Sequence, residues 1–304
     1  MLTTNLERMA DKIETFNKFG DTGNGRITRL SLSPEELEAR EELCKRCRNL
    51  GMQIQTDDMA NIYATLKGDL FDSSIITGSH LDSAKEEEHN ETIGVLAALE
   101  VIETIVKEKI PHRHSITLVV WTNTKGSRFY PPMMASGIIC GKFEKSVMID
   151  SIDSEGVTFK EALEASGYMG TIDNRVNSEK YIGFIEVAIE QGRDLEKEDI
   201  DMGIIEGSND KKIFYPEFIQ SIEKNIEKYG YTSTKIYSDC EYNSKFISDI
   251  IPTAMILVPR TKKNDFIEQC WKGANVLLQT ILEQPLPKNL KAEISNTILR
   301  IFIY

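Results

Sequence analysis

Residues 75–100 read Ile-Ile-Thr-Gly-Ser-His-Leu-Asp-Ser-Ala-Lys-Glu-Glu-Glu-His-Asn-Glu-Thr-Ile-Gly-Val-Leu-Ala-Ala-Leu-Glu, and this stretch decides the fold. Ile75 and Ile76 close a short apolar run of the kind a buried strand makes. His80 and Asp82 follow where that strand gives way to a loop. Ile93, Leu96, Ala97, Leu99, Ile102 and Ile105 then recur at helical spacing, which predicts a helix over residues 92–105. Open α/β sheets carry their sites at the carboxyl ends of strands, so a His-x-Asp at this junction is placed to present a metal ligand. The same dipeptide pattern also reads as a hydrogen-bonded structural pair.

Outward from this unit, strand and helix alternate. Residues 3–19 read as an amphipathic helix with Leu6, Met9, Ile13 and Phe16 on one face. Ser33-Pro34-Glu35-Glu36 is a helix start with Ser as N-cap and Pro in the first turn, and that helix runs to about Asn49. Strands are expected at residues 52–55, 62–66, 115–121, 181–190, 203–206, 235–237 and 254–258, and helices at 159–166, 216–229 and 265–282. The pattern predicts an α/β protein with a mostly parallel sheet flanked by helices, and 304 residues could hold one large domain or two ordinary ones.

Composition bounds the function. The 304 residues are 40% hydrophobic and 28% charged, as in a globular protein with a sizeable core. A net charge of −12 and a pI near 5.0 argue against nucleic acid or an anionic membrane as partner, since both demand a basic face. No apolar run approaches the ~20 residues of a membrane span. The five cysteines form no disulfide framework and there is no basic, apolar leader, which together suggest a reduced, cytoplasmic setting. Cys44 and Cys47 form a C-x-x-C inside a charged helical segment, where packing on one helix face explains them. His112 and His114 read as surface loop residues. Cys140 and Cys240 have no downstream histidine, and nucleophile elbow, phosphate loop and dinucleotide fingerprint are all missing from the sequence.

The wording of several segments resembles the zinc-dependent amidohydrolases of the M20 peptidase family that include N-carbamoyl-L-amino-acid hydrolase, allantoate amidohydrolase and β-ureidopropionase. The similarity lies in residues 78–83 (Gly-Ser-His-Leu-Asp-Ser), 94–100, 25–30 (Gly-Arg-Ile-Thr-Arg-Leu), 58–61, 122–129 (Thr-Asn-Thr-Lys-Gly-Ser-Arg-Phe), 189–192 (Ile-Glu-Gln-Gly) and 252–256 (Pro-Thr-Ala-Met-Ile). The resemblance implies a zinc-aminopeptidase-like catalytic domain. It also implies a second, dimerising lid domain inserted after the strand at 203–206. Here that insertion point leads almost directly into the 216–229 helix, so the lid is expected to be deleted near residues 206–214, leaving a single catalytic-like domain over residues 1–304 with a mostly parallel mixed sheet.

Position by position, the resemblance implies a degenerate site. His80 is the one retained metal ligand, and Asp82 would orient it. The bridging aspartate falls at Asn90, with Glu91 in place of the following glycine. The general base and its neighbouring ligand fall at Thr124 and Lys125, and a lysine puts a cation where two dications would sit. Further ligand histidines fall at Ala188 and Tyr242, and an aspartate at Asn243. The four histidines are His80, His89, His112 and His114, so none lies in the C-terminal half. Zinc or manganese is therefore expected to be lost and no cofactor is expected. A relocated site from His80, Asp82, Glu88 and His89 is the alternative for a metal. Arg128 and Gln191 are candidates for ligand contact, and Asp239-Cys240-Glu241 would tend to fill the old pocket. The expectation is a pseudoenzyme that binds a protein partner, such as an active homologue or pathway enzyme, or a small molecule in a cleft lined by His80, Asp82, Asn90, Thr124, Lys125, Arg128, Gln191, Tyr242 and Asn243. The alternatives are a metal-independent enzyme using Lys125 or Asp82, or residual hydrolysis of carbamoyl or ureido compounds.

Overall fold

A computed structural model describes residues 1–87, 91–207, 214–238, 242–261 and 263–284. The chain opens with α1 (Leu6–Asn17) and α2 (Pro34–Asn49), then β1 (Gln53–Thr56), β2 (Ile62–Leu66) and β3 (Phe71–His80). Helix α3 (Ile93–Lys107) leads into β4 (His114–Trp121), and three short helices follow: α4 (Met134–Ile139), α5 (Lys145–Met148) and α6 (Phe159–Ala165). Next come β5 (Tyr181–Ile189), α7 (Asp194–Lys197), β6 (Met202–Gly207), α8 (Pro216–Tyr229) and β7 (Ser233–Tyr237). The described chain closes with α9 (Asn243–Ile247), β8 (Thr253–Val258) and α10 (Lys263–Leu282). No helix among the described residues is long and apolar enough to cross a membrane.

The eight strands form one sheet in the order β1-β2-β4-β3-β5-β8-β6-β7. Its centre is parallel, β4-β3-β5-β8, while β1 with β2, β2 with β4 and β6 with β8 run antiparallel. The expected α/β sheet flanked by helices is present, and it is mixed because antiparallel strands extend the parallel core on both sides. Parallel strands need both faces covered. One face packs on α3, which lies between the sheet, α1 and α10 and is buried at every position from Ile93 to Ile102. The other carries an aromatic cluster of Tyr63, Trp121, Tyr181 and Phe184, with Trp121 edge-on to both Tyr63 and Phe184.

Local chemistry sets the boundaries. Ser33 Oγ accepts the Glu36 amide, and Pro34 occupies the first turn of α2. Thr158 and Glu161 close a capping box on α6. Cys44 and Cys47 are buried on the inner face of α2, where burial pushes both thiols up in pKa, as packing residues rather than ligands. Two expectations are corrected. Leu6 is 42% exposed, because Asn5 caps α1 and turns its first residue outward, leaving Met9, Ile13 and Phe16 as the buried face. His114 is not a loop residue: it begins β4, is buried, and places Nδ1 3.3 Å from Ser73 Oγ.

A charged cluster fastens α1 to α3. Lys12, 1% exposed, donates to Glu100 at 2.7 Å and to Glu103 at 2.5 Å, and Arg8 donates to Glu100 at 2.7 Å. Burial alone would raise the Glu103 carboxyl, but Lys107 and Lys12 hold it at about 2. A carboxylate whose folded pKa lies below its unfolded value of ~4.3 adds stability above that pH and loses it as pH falls toward 2. Glu103→Gln is therefore expected to flatten the acid limb of the stability curve between about pH 4.5 and 2, by no more than about 1 kcal/mol after solvent screening. Urea midpoints at pH 3 and pH 6 check this; an equal loss at both pH values would refute it.

Candidate functional site

The carboxyl ends of β3, β4 and β5 open into a cleft of about 280 Å³. His80 is the last residue of β3, Thr124 and Lys125 follow β4, and Gln191 follows β5. Glu91, just before α3, and Tyr242 and Asn243, at the start of α9, complete the polar wall. Pro132, Met133, Ala188 and Ile189 supply the apolar one. The helix-covered parallel centre forces this placement, because the loops leaving its strands converge at one end.

Asp82 organises the floor. Its carboxylate accepts the Lys125 amide at 2.9 Å and the Thr124 amide at 3.3 Å, tying the loop after β3 to the loop after β4. His80 Nδ1 lies 2.8 Å from the Asp82 carbonyl oxygen and 3.4 Å from its Oδ1. Both neighbours only accept, so Nδ1 carries a proton, and whenever the ring is neutral its lone pair is on Nε2. Burial works against both charges, yet the pairing prevails: the Asp82 carboxyl is held below its ordinary value and the His80 imidazole is raised above its own.

Lys125 is a cation, not a neutral amine. Burial would lower its pKa, but Glu91 and Glu87 more than reverse this, and its pKa is raised. Its ammonium lies 2.9 Å from Glu87 and is paired with Glu91, whose other oxygen accepts Arg260 Nη2 at 2.6 Å. Arg260 is seated in turn by Glu190, which accepts its backbone amide at 3.4 Å and also receives the amides of Asp194 and Leu195 at the start of α7. A lysine acting as a nucleophile or base needs the opposite shift, so the metal-independent chemistry expected of Lys125 finds no support in its surroundings.

Of the residues singled out in the sequence, the structure brings His80, Thr124, Lys125, Gln191, Tyr242 and Asn243 to the cleft wall, with Asp82 directly behind. Asn243 is spent on structure: its amide donates to Thr124 Oγ1 at 3.1 Å and its oxygen accepts Ser136 Oγ at 2.8 Å. Arg128 does not belong with the cleft. It turns away to Asp153 at 3.0 Å and to the Ser31 carbonyl at 3.0 Å, packed over the Phe129 ring, because those partners meet its guanidinium on the far side of the loop. Asn90, Glu88, His89, Asp239, Cys240 and Glu241 lie outside the described residues.

Sequence reasoning missed Glu186, Glu87 and Arg260 and gave Glu91 no role. Glu186 is buried in the cleft wall, accepts Ser79 Oγ at 2.7 Å and the Ser244 amide at 3.1 Å, and also bonds Ser244 Oγ. Burial raises its pKa, and those donors only partly offset this. Its one visible signal was a carboxylate amid the apolar residues of β5.

A divalent metal needs imidazole and carboxylate donors turned on a common point. Among the described residues no group of three or more His, Cys, Asp or Glu is disposed to hold a metal ion. Glu87 and Glu91 are turned on the Lys125 ammonium.

This sheet order and cleft define an α/β scaffold of the kind used by hydantoinase/carbamoylase family amidases. One from Burkholderia ambifaria superposes with a TM-score of 0.84 at 20% identity, over 93% of this chain and 98% of that chain. No protein-family model matches the chain. It is 32% identical over 212 residues to an N-carbamoyl-L-amino-acid amidohydrolase of Pseudomonas sp. strain NS671, covering 68% of this chain and 51% of the relative. It is 26% identical over 233 residues to an allantoate amidohydrolase of Bacillus subtilis strain 168, covering 76% of this chain and 56% of the relative. The chain is thus a homologue of amidohydrolases and spans about half the length of the curated relatives it matches.

Proposed function

We propose that this chain is a catalytically degenerate amidohydrolase homologue that works by binding, as a subunit or regulator of another protein, rather than by metal-dependent hydrolysis. The observation that carries this reading is the Lys125 ammonium, already matched to Glu87 and Glu91 in the cleft and reinforced by Arg260 on Glu91. Activating water at neutral pH in such hydrolases requires a metal and a free carboxylate base. The described cleft offers a cation already paired with Glu87 and Glu91, and a Glu186 carboxyl that three donors tie to Ser79 and Ser244. The short connection between β6 and α8, residues 208–215, has the length of a loop and favours the absence of an inserted lid. An active homologue or a pathway enzyme is the partner this ancestry favours, with a small molecule in the open cleft as its complement.

The test combines metal analysis, turnover and mass. Protein purified without chelators is expected to contain zinc and manganese far below one equivalent. It is expected to leave N-carbamoyl-L-amino acids and allantoate unhydrolysed with either metal added, and to appear in native mass spectra of source extracts in a complex. Stoichiometric metal together with chelator-sensitive turnover overturns the reading. A second reading, hydrolysis without metal, is favoured by one feature: the His80 lone pair on Nε2, oriented by Asp82 and facing an open cleft. It predicts turnover that survives chelator and disappears in His80→Ala.

A further inference from the structure

We propose that Asn24 is a self-modification site, where the Gly25 amide nitrogen attacks the Asn24 side-chain carbonyl carbon and water completes the conversion to aspartate and isoaspartate. The change loosens the segment that carries Glu87 to the edge of the cleft. It goes beyond any binding role, because the chemistry needs only this loop and water.

Asn24 and Gly25 are both exposed, in a loop whose ends meet in the bridge between Asp21 and Ile27. The sequence holds no other Asn-Gly pair. Asn24 Oδ1 accepts the Arg26 amide at 3.0 Å and the Thr22 hydroxyl at 2.5 Å. The ring closed by the Arg26 bond runs through Gly25, and so draws the side-chain carbonyl carbon toward the Gly25 nitrogen. Both donors also polarise that carbonyl and meet the charge that attack would place on its oxygen. Among the described residues the Gly25 amide has no hydrogen-bond partner, so its nitrogen is not held elsewhere. Gly25 has φ +82°, and an added Cβ would meet nothing within 4 Å, so water and hydroxide reach the pair freely.

Hydroxide takes the Gly25 amide proton, and the nitrogen bonds to the Asn24 side-chain carbon. The bond from that carbon to Nδ2 breaks, and Nδ2 leaves as ammonia with a proton from water. Water then adds to the resulting five-membered imide, and opening at one carbonyl or the other gives aspartate or isoaspartate. In sum, one amide and one water become one carboxylic acid and one ammonia. The product carboxylate cannot replace Nδ2, which donates to Glu86 at 3.1 Å, and it sets a second negative charge against that glutamate. The Glu86 amide rests on Thr28 Oγ1 at 2.9 Å, and Glu87 exchanges backbone bonds with Ile27, each 2.9 Å. Glu87 in turn lies 2.9 Å from the Lys125 ammonium. Repulsion at position 24 therefore acts on the strip that fixes the edge of the cleft.

Peptide mapping with isoaspartate-specific labelling, on wild type and Gly25→Ala aged in mildly alkaline buffer, tests the reaction. Asn177 is the internal control: it is partly exposed and its Oδ1 likewise accepts the amides of Glu179 at 3.2 Å and Lys180 at 3.0 Å, but Ser178 follows it. Wild type is expected to convert at Asn24 about tenfold or more faster than at Asn177, and Gly25→Ala to slow Asn24 by a similar factor, because a side chain crowds the attacking nitrogen. Hydrogen exchange on Asn24→Asp tests the reach to the cleft. The Glu87 amide is expected to exchange about tenfold faster than in wild type while the central strands stay unchanged. Conversion at Asn24 no faster than at Asn177, or untouched by a folded Gly25→Ala, overturns the modification site. Unmoved exchange at Glu87 overturns its effect on the cleft edge. Where Gly25→Ala does not fold, the comparison with Asn177 inside wild type decides alone.

Discussion

Gly78→Ala is expected to leave little or no folded protein. Gly78 sits in the middle of β3 at φ +134°, opposite Val119 of β4, a backbone conformation that L side chains rarely adopt. An added Cβ would stand 2.2 Å from the Val119 carbonyl oxygen and 2.9 Å from its amide nitrogen. Both are backbone atoms at the centre of the sheet, so no side chain can swing aside. β4 would have to part from β3, and the loop two residues on, with His80 and Asp82, would move with it. The loss should exceed about 4 kcal/mol, in the range that unfolds a marginally stable domain. Circular dichroism melting decides the matter. A Gly78→Ala protein melting within about 4 °C of wild type would show that the sheet yields where this geometry says it cannot.

Arg29→Met is the second large effect, and it reaches the cleft from outside. Arg29 is fully buried and donates to the carbonyls of Phe16 and Phe19, at the end of α1, and of Leu81, between His80 and Asp82. Its bonds measure 2.6, 2.9 and 2.7 Å. Burial lowers its pKa to about 10, and Glu36, Asp82 and Glu87 resist that shift, so the charge remains at neutral pH. Methionine fills much of the volume but leaves two buried carbonyl acceptors and one part-buried one without this donor. Charge-assisted bonds of this kind are worth about 1.5–3 kcal/mol each, and a net loss of about 3–5 kcal/mol is expected, since the losses are not fully additive. The Leu81 carbonyl should also be released, which alters the His80 environment. Urea unfolding measures the first effect and the His80 imidazole resonances the second. A loss under about 1 kcal/mol with unmoved His80 signals would place the anchoring elsewhere.

The sequence by itself was enough for the elements. Apolar residues at helical spacing predicted α3, the 216–229 helix is α8, and the Ser33-Pro34 start opens α2 as the structure has it. Strand β2 falls at the residues expected, and β5, β6 and β8 fall within one residue of expectation. These features depend on neighbours a few residues apart, so a linear reading can find them. His80 and Asp82 were legible for the same reason, since a strand end followed by a helix start places a loop at the carboxyl edge of a sheet.

What only the tertiary structure decided is which charges meet. Arg260 and Glu91 are 169 positions apart in sequence and 2.6 Å apart in space, and nothing local announces the pair. The sequence alone read Lys125 as a cation at the old metal position, without showing what it meets. The carboxylates of Glu87 and Glu91, brought by other segments, are what hold that charge in place. Arg128 illustrates the converse, adjacent in sequence to the cleft motif yet turned toward Asp153 and Ser31. Secondary structure follows from short-range periodicity, caps and turns. The charge state of a buried group follows from the sum of desolvation and Coulomb terms over partners that the chain collects only when the sheet forms.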